Sequence, residues 1–133
     1  MVIHLDHGVL VTLRDVMEDE YPTLLDVFLK DCEERIDTLH QLSGAGDAGL
    51  PSAAQSSPDL NALSMTAHSF KGSSSNMGAL QLAELCRQLE ELARIPPLAS
   101  LSTIRELVEK IETESHTVRH LFEVERERFA ARH

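Results

Sequence analysis

The sequence predicts an all-α fold, an antiparallel up-and-down four-helix bundle with a short additional N-terminal helix. Tryptophan is absent and aromatic residues make up only 4% of the chain, while leucine, alanine and glutamate recur. That composition suits packed helices better than a β-sandwich. Apolar residues also return every three or four positions in four long segments, which is the period of amphipathic helices. With 133 residues and 42% hydrophobic content, the chain is long enough for one domain with a sizeable core.

The first two predicted helices lie in the N-terminal third of the chain. A short amphipathic helix is predicted from about Gly8 to Glu18. Pro22 then stands where the first turn of a long helix tolerates proline. That helix has one apolar stripe, made of Leu25, Phe28, Cys32, Ile36, Leu39 and Leu42. Residues 43–58 are small and almost free of charge, so we interpret them as a flexible connection inside a single domain that spans residues 1–133.

A tight helical hairpin is predicted in the middle of the chain. Ser57, Pro58 and Asp59 supply a cap, a proline at the first position and an acid in the first turn, so a helix should run from about Asp59 to Asn76. Gly78 can adopt the left-handed conformation that ends this helix. The next helix stops before the prolines at positions 96 and 97 and carries Leu82, Leu85, Cys86, Leu89, Leu92 and Ala93. Because the turn is so short, the two helices must be antiparallel.

The last predicted helix begins between Pro97 and Thr103 and extends toward Phe129. Its apolar residues have heptad-like spacing and are Leu101, Ile104, Val108, Ile111, Val118 and Phe122. Four long amphipathic helices with mostly short connections specify an antiparallel bundle, and the first short helix should cover one end of it.

The formal charge of −10 argues against two classes of partner. The chain has no basic stripe to neutralise the phosphates of nucleic acid, and anionic lipid would repel it. Cys32 and Cys86 form no CxxC pair and no disulfide framework, so both are expected to be reduced and buried. The N-terminal residues lack the features of a signal peptide, and no segment approaches the length of a membrane span. We therefore expect a cytoplasmic protein.

One histidine has unusual neighbours, in the stretch TAHSFKGSSSNMGA at residues 66–79. On a helical wheel of about 100° per residue, Phe70 and Met77 lie opposite His68, which places His68 outside the core or at a groove edge. The residues that share its face are small or polar and are Ser64, Lys71, Gly72 and Ser75. A lysine here can neutralise an anion on the ring, and a glycine leaves room for it. The arrangement fits a phosphoryl group carried by the imidazole.

The segment HSFKGSSSNMGALQLAELCRQLEELAR, residues 68–94, resembles the histidine-containing phosphotransfer domain. That family has the pattern H-x-x-K-G, then small residues and a glycine, then a helix with L-x-x-x-C-x-x-L/I. The resemblance is close over residues 67–94, and the predicted helix order extends it to nearly the whole chain. The chain also looks like the stand-alone bacterial members of the family, which serve hybrid sensor kinases.

The resemblance implies a function in a multistep phosphorelay. His68 would accept a phosphoryl group from a receiver-domain aspartate and pass it to another receiver aspartate, with Lys71 stabilising the phosphoryl charge and Gly72 providing room. The implied partners are receiver domains of hybrid sensor kinases and of a response regulator. The chain has no glycine-rich ATP site and no clustered acids for Mg²⁺, so we expect a relay intermediate without kinase activity, and Mg²⁺ only on the receiver. We also expect a monomer.

Three further residues are assigned to the surroundings of His68. In a tight hairpin His68 lies level with residues 88–90, and in the family a glutamine or glutamate at this place often holds the imidazole. Glu90 is therefore expected to accept the Nδ1 proton and leave Nε2 as the attacking nitrogen, although an ordinary solvated glutamate is the alternative. Arg94 is expected to pair with Glu90 or to help neutralise the phosphoryl group. Met65 is a candidate contact for the receiver, with packing at the edge of the core as the alternative.

Two other functions stay open at the level of sequence. A non-catalytic adaptor bundle could bind a partner through its acidic faces and would explain the apolar stripes equally well. It does not explain Lys71 and Gly72 beside an outward His68. A metal-binding bundle is suggested by His116 and His120, which share a helix face, and by His4 and His7, which are close together in sequence. The long helices, however, supply no regular set of inward ligands such as paired Glu-x-x-His segments.

Overall fold

The computed structural model describes residues 2–43, 59–94 and 101–132, apart from the side chain at position 101. These residues form five α-helices and one 3₁₀ turn, namely α1 His7–Met17, the 3₁₀ turn Glu18–Glu20, α2 Tyr21–Leu42, α3 Leu60–Asn76, α4 Leu80–Arg94 and α5 Leu101–Arg132. The described ranges contain no strand. The predicted all-α bundle with a short N-terminal helix is confirmed.

Four long helices enclose one core. α3 packs most extensively on α4, α4 also packs on α5, and α2 contacts both α3 and α5, so the helices close a ring. Two aromatic pairs join α2 to α5, with ring centroids 5.5 Å and 5.6 Å apart. The largest fully buried side chains include Tyr21, Leu25, Leu63, Phe70, Leu82, Ile111 and Phe122. Burial of each such apolar side chain stabilises the fold by about 1.5–3 kcal/mol.

The helix boundaries follow capping signals, with one correction. α1 begins one residue earlier than predicted, because the Asp6 carboxylate accepts two N–H groups of the first turn. It also ends one residue earlier, at Met17. Pro22 lies in the first turn of α2, as predicted. The predicted cap of α3 at Ser57 was wrong. Asp59 is the cap, and its carboxylate accepts the N–H of Ala62 at 3.0 Å, which satisfies an orphan donor and complements the helix dipole.

The predicted connection at residues 43–58 lies outside the described residues except at its first position. Ser43 is fully buried at the end of α2, and its hydroxyl donates to the backbone oxygen of His40 at 3.1 Å. The backbone N–H of Asp59 donates to the oxygen of Leu42 at 3.2 Å. The chain therefore leaves α2 and enters α3 at the same end of the bundle. The single-domain assignment of residues 1–133 stays a prediction.

The N-terminal segment closes the turn between α3 and α4. Gly78 has a φ of 74°, in the left-handed region predicted for it. Asp6 donates its N–H to the Gly78 oxygen at 2.8 Å, and the N–H of Leu80 donates to the oxygen of His4 at 3.1 Å. A Cβ on Gly78 would lie 3.1 Å from the Asp6 oxygen and 3.1 Å from the Cβ of Val9. Glycine is required here both by the backbone conformation and by the close packing.

Substitution Gly78→Ala should lower the free energy of unfolding by about 1–3 kcal/mol, the cost of a side chain in this backbone region. Gly72→Ala is the matched control, because Gly72 lies inside α3 and a Cβ there would meet no neighbouring group within 4 Å. That control should raise stability by about 0.5–1 kcal/mol, since alanine favours a helix interior over glycine. Urea denaturation measures both variants. Equal effects of the two substitutions would contradict the special role of the turn.

Candidate functional site

His68 lies in the middle of α3, and 67% of its side chain is exposed. Phe70 and Met77, which the helical wheel placed on the opposite face, are both buried. Ala67 and Ser74 are buried as well, which the wheel did not predict. Their small side chains permit close helix packing on one flank of His68, so the buried stripe of α3 extends further round the helix than the large apolar residues indicate.

Glu90 connects α4 to the exposed face of α3. It is a charged residue with only 7% of its surface exposed. Its Oε2 lies 2.9 Å from Nδ1 of His68, and its Oε1 accepts a hydrogen bond from Nζ of Lys71 at 2.7 Å. One carboxylate thus bridges two residues that are one turn apart on α3. The contact arises because His68 and Glu90 lie at similar distances from Gly78 on the two antiparallel helices, as the hairpin register predicted.

The Glu90 carboxylate selects the tautomer of His68. An ionised carboxylate can only accept hydrogen bonds, so a contact at Nδ1 requires the ring proton on that nitrogen. The proton is assigned from this hydrogen-bond network. Nε2 then carries the lone pair, on a ring that is largely open to solvent. A neutral imidazole in this state is a competent nucleophile.

The electrostatics of the site centre on Glu90. The hydrogen bond from Lys71 is the main cause that holds the pKa of the Glu90 carboxyl below its ordinary value of 4.5. Burial of the carboxyl acts in the opposite direction, and the hydrogen bond with His68 lowers the pKa further. A second cation is close, because Nη1 of Arg94 lies 3.7 Å from Oε2. The carboxylate is therefore ionised at neutral pH.

The other predicted site residues share this face to different degrees. The wheel placed Lys71 on the exposed side, but its side chain is only 32% exposed because it points toward Glu90. Gly72 is exposed, and a Cβ there would meet nothing within 4 Å, so its missing side chain leaves open space one turn from His68. Ser75 is exposed, whereas Ser64 is half-buried. The roles of these residues stay predictions.

The ionised Glu90 gives an expected pH dependence of stability. A carboxyl whose pKa is lowered on folding stabilises the folded state above its unfolded pKa, here 4.5, and this contribution is lost as the pH falls through the lower folded pKa. The difference in unfolding temperature between wild type and Glu90→Gln should therefore be largest near neutral pH and shrink below pH 4.5. Glu106→Gln, at an exposed position of α5, is the control. A constant difference between about pH 7 and about pH 3 would contradict this assignment.

Met65 lies on the same surface of α3, and 66% of it is exposed. Packing at the edge of the core therefore does not describe this residue. Its thioether sulfur lies 3.9 Å from Nδ2 of Asn61, a weak contact on the same helix. An exposed methionine one turn before His68 is a polarisable apolar group available to a partner. Its docking role stays a prediction.

Arg35 on α2 is a neighbour of the site that the sequence did not single out. Its Nη1 donates to Oγ of Ser69 at 2.8 Å, and its guanidinium lies 5.9 Å from the centroid of the Phe70 ring. These contacts hold α2 against α3 directly beside His68. The only sequence signal was an arginine next to the buried stripe residue Ile36. Such a signal does not say which helix the guanidinium reaches.

The alternative sites suggested by the sequence are not assembled in the described residues. His116 and His120 are both exposed on α5, and no group of three or more His, Cys, Asp or Glu side chains in these ranges could hold a metal ion. Cys32 and Cys86 are free, buried thiols, as predicted. Burial raises the pKa of each thiol to about 12, which keeps it unreactive. None of the described helices has both the length and the apolarity to cross a membrane.

The structure is a four-helix bundle in which the exposed His68 has a carboxylate at Nδ1 and a lysine one turn away. This is the arrangement that the resemblance to a phosphotransfer domain implied. The family model described as Hpt domain matches residues 23–120. The chain belongs to the Hpt domain family. It is similar to the crystal structure of histidine-containing phosphotransfer protein B (HptB) from Pseudomonas aeruginosa PAO1, with 48% sequence identity, a TM-score of 0.79 and coverage of 96% of this chain and 98% of that chain. No curated protein gives a significant match.

Family membership defines the general function. The protein has a histidine phosphotransfer role in a phosphorelay, as an intermediate that works with receiver domains of two-component systems. The resemblance drawn from residues 67–94 is thereby confirmed. The matched range includes His68, Lys71 and Glu90.

Proposed function

We propose that His68 is the phosphoryl acceptor of this relay protein. Nε2 attacks the phosphorus of an aspartyl phosphate on a receiver, the N–P bond forms, and the P–O bond breaks to release the aspartate carboxylate. Transfer to a second receiver reverses these changes and restores the free ring. The proton on Nδ1 stays in place through both steps, held by Glu90 at 2.9 Å. This contact on a largely exposed ring is the observation that carries the proposal.

The neighbouring residues have distinct roles in the proposal. Glu90 is a positioning residue, because it acts through the orientation and tautomer of His68. Lys71 lies one turn from His68 and would donate to the phosphoryl oxygens, with Arg94 as a second nearby cation. Gly72 leaves the space that the phosphoryl group and the receiver occupy. Ser64 and Ser75 supply hydroxyls at the margin of the same face.

The proposed partners are receiver domains, which would also supply the metal ion. Because the Glu90 carboxylate is already bound to His68 and Lys71, we propose that the receiver supplies Mg²⁺ and most catalytic groups, and that this protein needs no cofactor of its own. The donor would be a receiver of a hybrid sensor kinase, and the acceptor a receiver of a response regulator. In this proposal the protein acts as a cytoplasmic monomer without kinase activity.

Incubation with a phosphorylated receiver tests the proposal. The protein should acquire a phosphate that is labile in acid and stable in base, as expected for phosphohistidine, and should lose it when an unphosphorylated receiver with Mg²⁺ is added. ATP alone should give no labelling. An acid-stable phosphate, or labelling by ATP without a receiver, would contradict the proposed role.

Substitution Met65→Glu should weaken receiver binding about tenfold, because a charged carboxylate would replace an exposed apolar contact and lose its hydration on docking. Isothermal titration calorimetry with a receiver measures the change. Val16→Glu is the matched control, since Val16 is 72% exposed but lies on α1. The docking role of Met65 would be dropped if both variants bound the receiver like wild type.

A further inference from the structure

The arginines of this protein divide into two groups. Within the described residues, five of them form ion pairs with carboxylates, namely Arg35, Arg87, Arg94, Arg119 and Arg126. The arginines that form no ion pair in these ranges are Arg14, Arg105, Arg128 and Arg132. The chain has 22 acidic and only 12 basic side chains. A single exposed arginine without a carboxylate is hydrated and is ordinary. Several such arginines at one place in so acidic a protein are a feature to explain.

Three of these unpaired arginines line one cavity between α1 and α5, with a volume of about 150 Å³. Each helix contributes four residues at the spacing i, i+3, i+4 and i+7, which lie on one helix face. The lining consists of His7, Leu10, Val11 and Arg14 from α1, and Glu125, Arg128, Phe129 and Arg132 from α5. Leu10 and Phe129 are buried, whereas Arg128 and Arg132 are exposed. The cavity therefore has an apolar floor and a cationic rim.

Among the described residues, those that line the cavity carry more positive than negative charge, although Arg14 also lines a neighbouring cavity with Asp15, Glu18 and Asp19. Glu125 is the one acidic residue among the lining residues, and its carboxylate already accepts a hydrogen bond from the hydroxyl of Tyr21 at 3.0 Å. Three guanidinium groups against one carboxylate leave a net positive charge. Like charges held together without a counterion repel each other. A bound anion would remove that repulsion.

Helix dipoles account for only part of this arrangement. Arg14 and Arg132 lie in the last turns of α1 and α5, where the dipole favours cations. That interaction acts on each residue separately and does not depend on where the guanidinium points around the helix. It does not explain why arginines from two different helices surround the same cavity.

We propose that the cavity between α1 and α5 binds a small, free oxyanion of the phosphate class. Guanidinium groups donate two parallel hydrogen bonds to phosphate oxygens and are suited to this class of ligand. Pockets for drug-sized ligands hold about 300–1,000 Å³, so this smaller cavity suits a single ion. Its lining includes none of the residues assigned to phosphoryl transfer. The site is therefore separate from His68, and the inference does not depend on the proposed function.

Titration with inorganic phosphate, followed by ¹H–¹⁵N NMR, tests the site. Ionic strength is held constant with sodium chloride, because screening alone changes weak electrostatic contacts. We expect saturable shifts of the amide signals of residues 7–14 and 125–132, and none when chloride replaces phosphate. Shifts confined to the residues around His68 would place the anion at the phosphotransfer face and overturn the inference. Shifts that never saturate would also overturn the inference.

Arginine variants provide the second part of the test. Arg128→Gln should weaken phosphate binding about tenfold, since it removes one charged donor and leaves a shorter, neutral polar side chain. Arg132→Gln should act in the same direction and serves as a second variant if Arg128→Gln folds poorly. Arg105→Gln is the matched control, because Arg105 is also exposed and unpaired in the described residues but does not line the cavity. Equal phosphate affinity of the cavity variants and this control would refute the site.

Discussion

Replacement of His68 by glutamine should abolish phosphoryl labelling by a phosphorylated receiver, while the circular dichroism spectrum stays that of wild type. The glutamine amide has no nucleophilic nitrogen lone pair, so the N–P bond cannot form. Its NH₂ group can still donate a hydrogen bond toward Glu90. Because 67% of the histidine side chain is exposed, the substitution removes little packing, and the effect on stability should be small.

The control for this prediction is another exposed histidine. His116→Gln, on α5, should be labelled at the wild-type rate. The protein has seven histidines, so another one would still be labelled in the His68→Gln protein if His68 were not the acceptor. Labelling that persists in the His68→Gln protein would show that a different side chain carries the phosphoryl group.

Substitution Lys71→Ala should slow phosphoryl transfer about 10- to 100-fold. A hydrogen bond to a charged group contributes about 1.5–3 kcal/mol, and each 1.36 kcal/mol of lost transition-state stabilisation is a factor of ten in rate. Lys71 lies one turn from His68 and already donates to the adjacent carboxylate at 2.7 Å. Rapid-quench measurement of transfer from a phosphorylated receiver gives the rate.

Lys71 has a second, structural contact that the sequence did not predict. Removal of the lysine deprives the buried Glu90 of its closest cation. The remaining neighbours of the carboxylate are His68 at 2.9 Å and Arg94 at 3.7 Å. We therefore expect a loss of a few degrees in unfolding temperature together with the slower transfer. Lys110→Ala, at an exposed position of α5, should change neither quantity. Normal transfer combined with extensive unfolding of Lys71→Ala would assign the lysine to the fold alone.

The order and type of the helices could be predicted from local signals. Each of these signals affects only residues close to it in the chain, so its effect can be recognised in the sequence. Examples are the stripe from Leu25 to Leu39, the proline in the first turn of α2 and the left-handed Gly78. The displaced cap of α3 shows the limit of such signals. Ser57 and Asp59 are both good capping residues, and the contact between Asp59 and Leu42, far apart in sequence, accompanies the start at Asp59.

The contact between His68 and Glu90 could also be predicted, because a tight turn fixes the register of a helical hairpin. Two antiparallel helices that leave a short turn together keep equivalent residues at the same height, since each rises by about 1.5 Å per residue. Residue spacing therefore placed His68 level with residues 88–90, and the family pattern singled out Glu90 within that range. The resemblance to a known family supplied the expectation of their roles.

The tertiary structure decided what depends on helix rotation and on contacts between distant segments. Ala67 and Ser74 are buried, and Lys71 donates to Glu90, although a wheel based on large apolar residues places Lys71 on the exposed side. Arg35 reaches Ser69 only because α2 packs beside α3. The arginine-lined cavity lies between α1 and α5, which are at opposite ends of the sequence. The sequence determined the helices, their buried stripes and the hairpin register, because short-range geometry controls these features. Which faces of distant helices meet depends on the packing of the whole core, which no local pattern encodes.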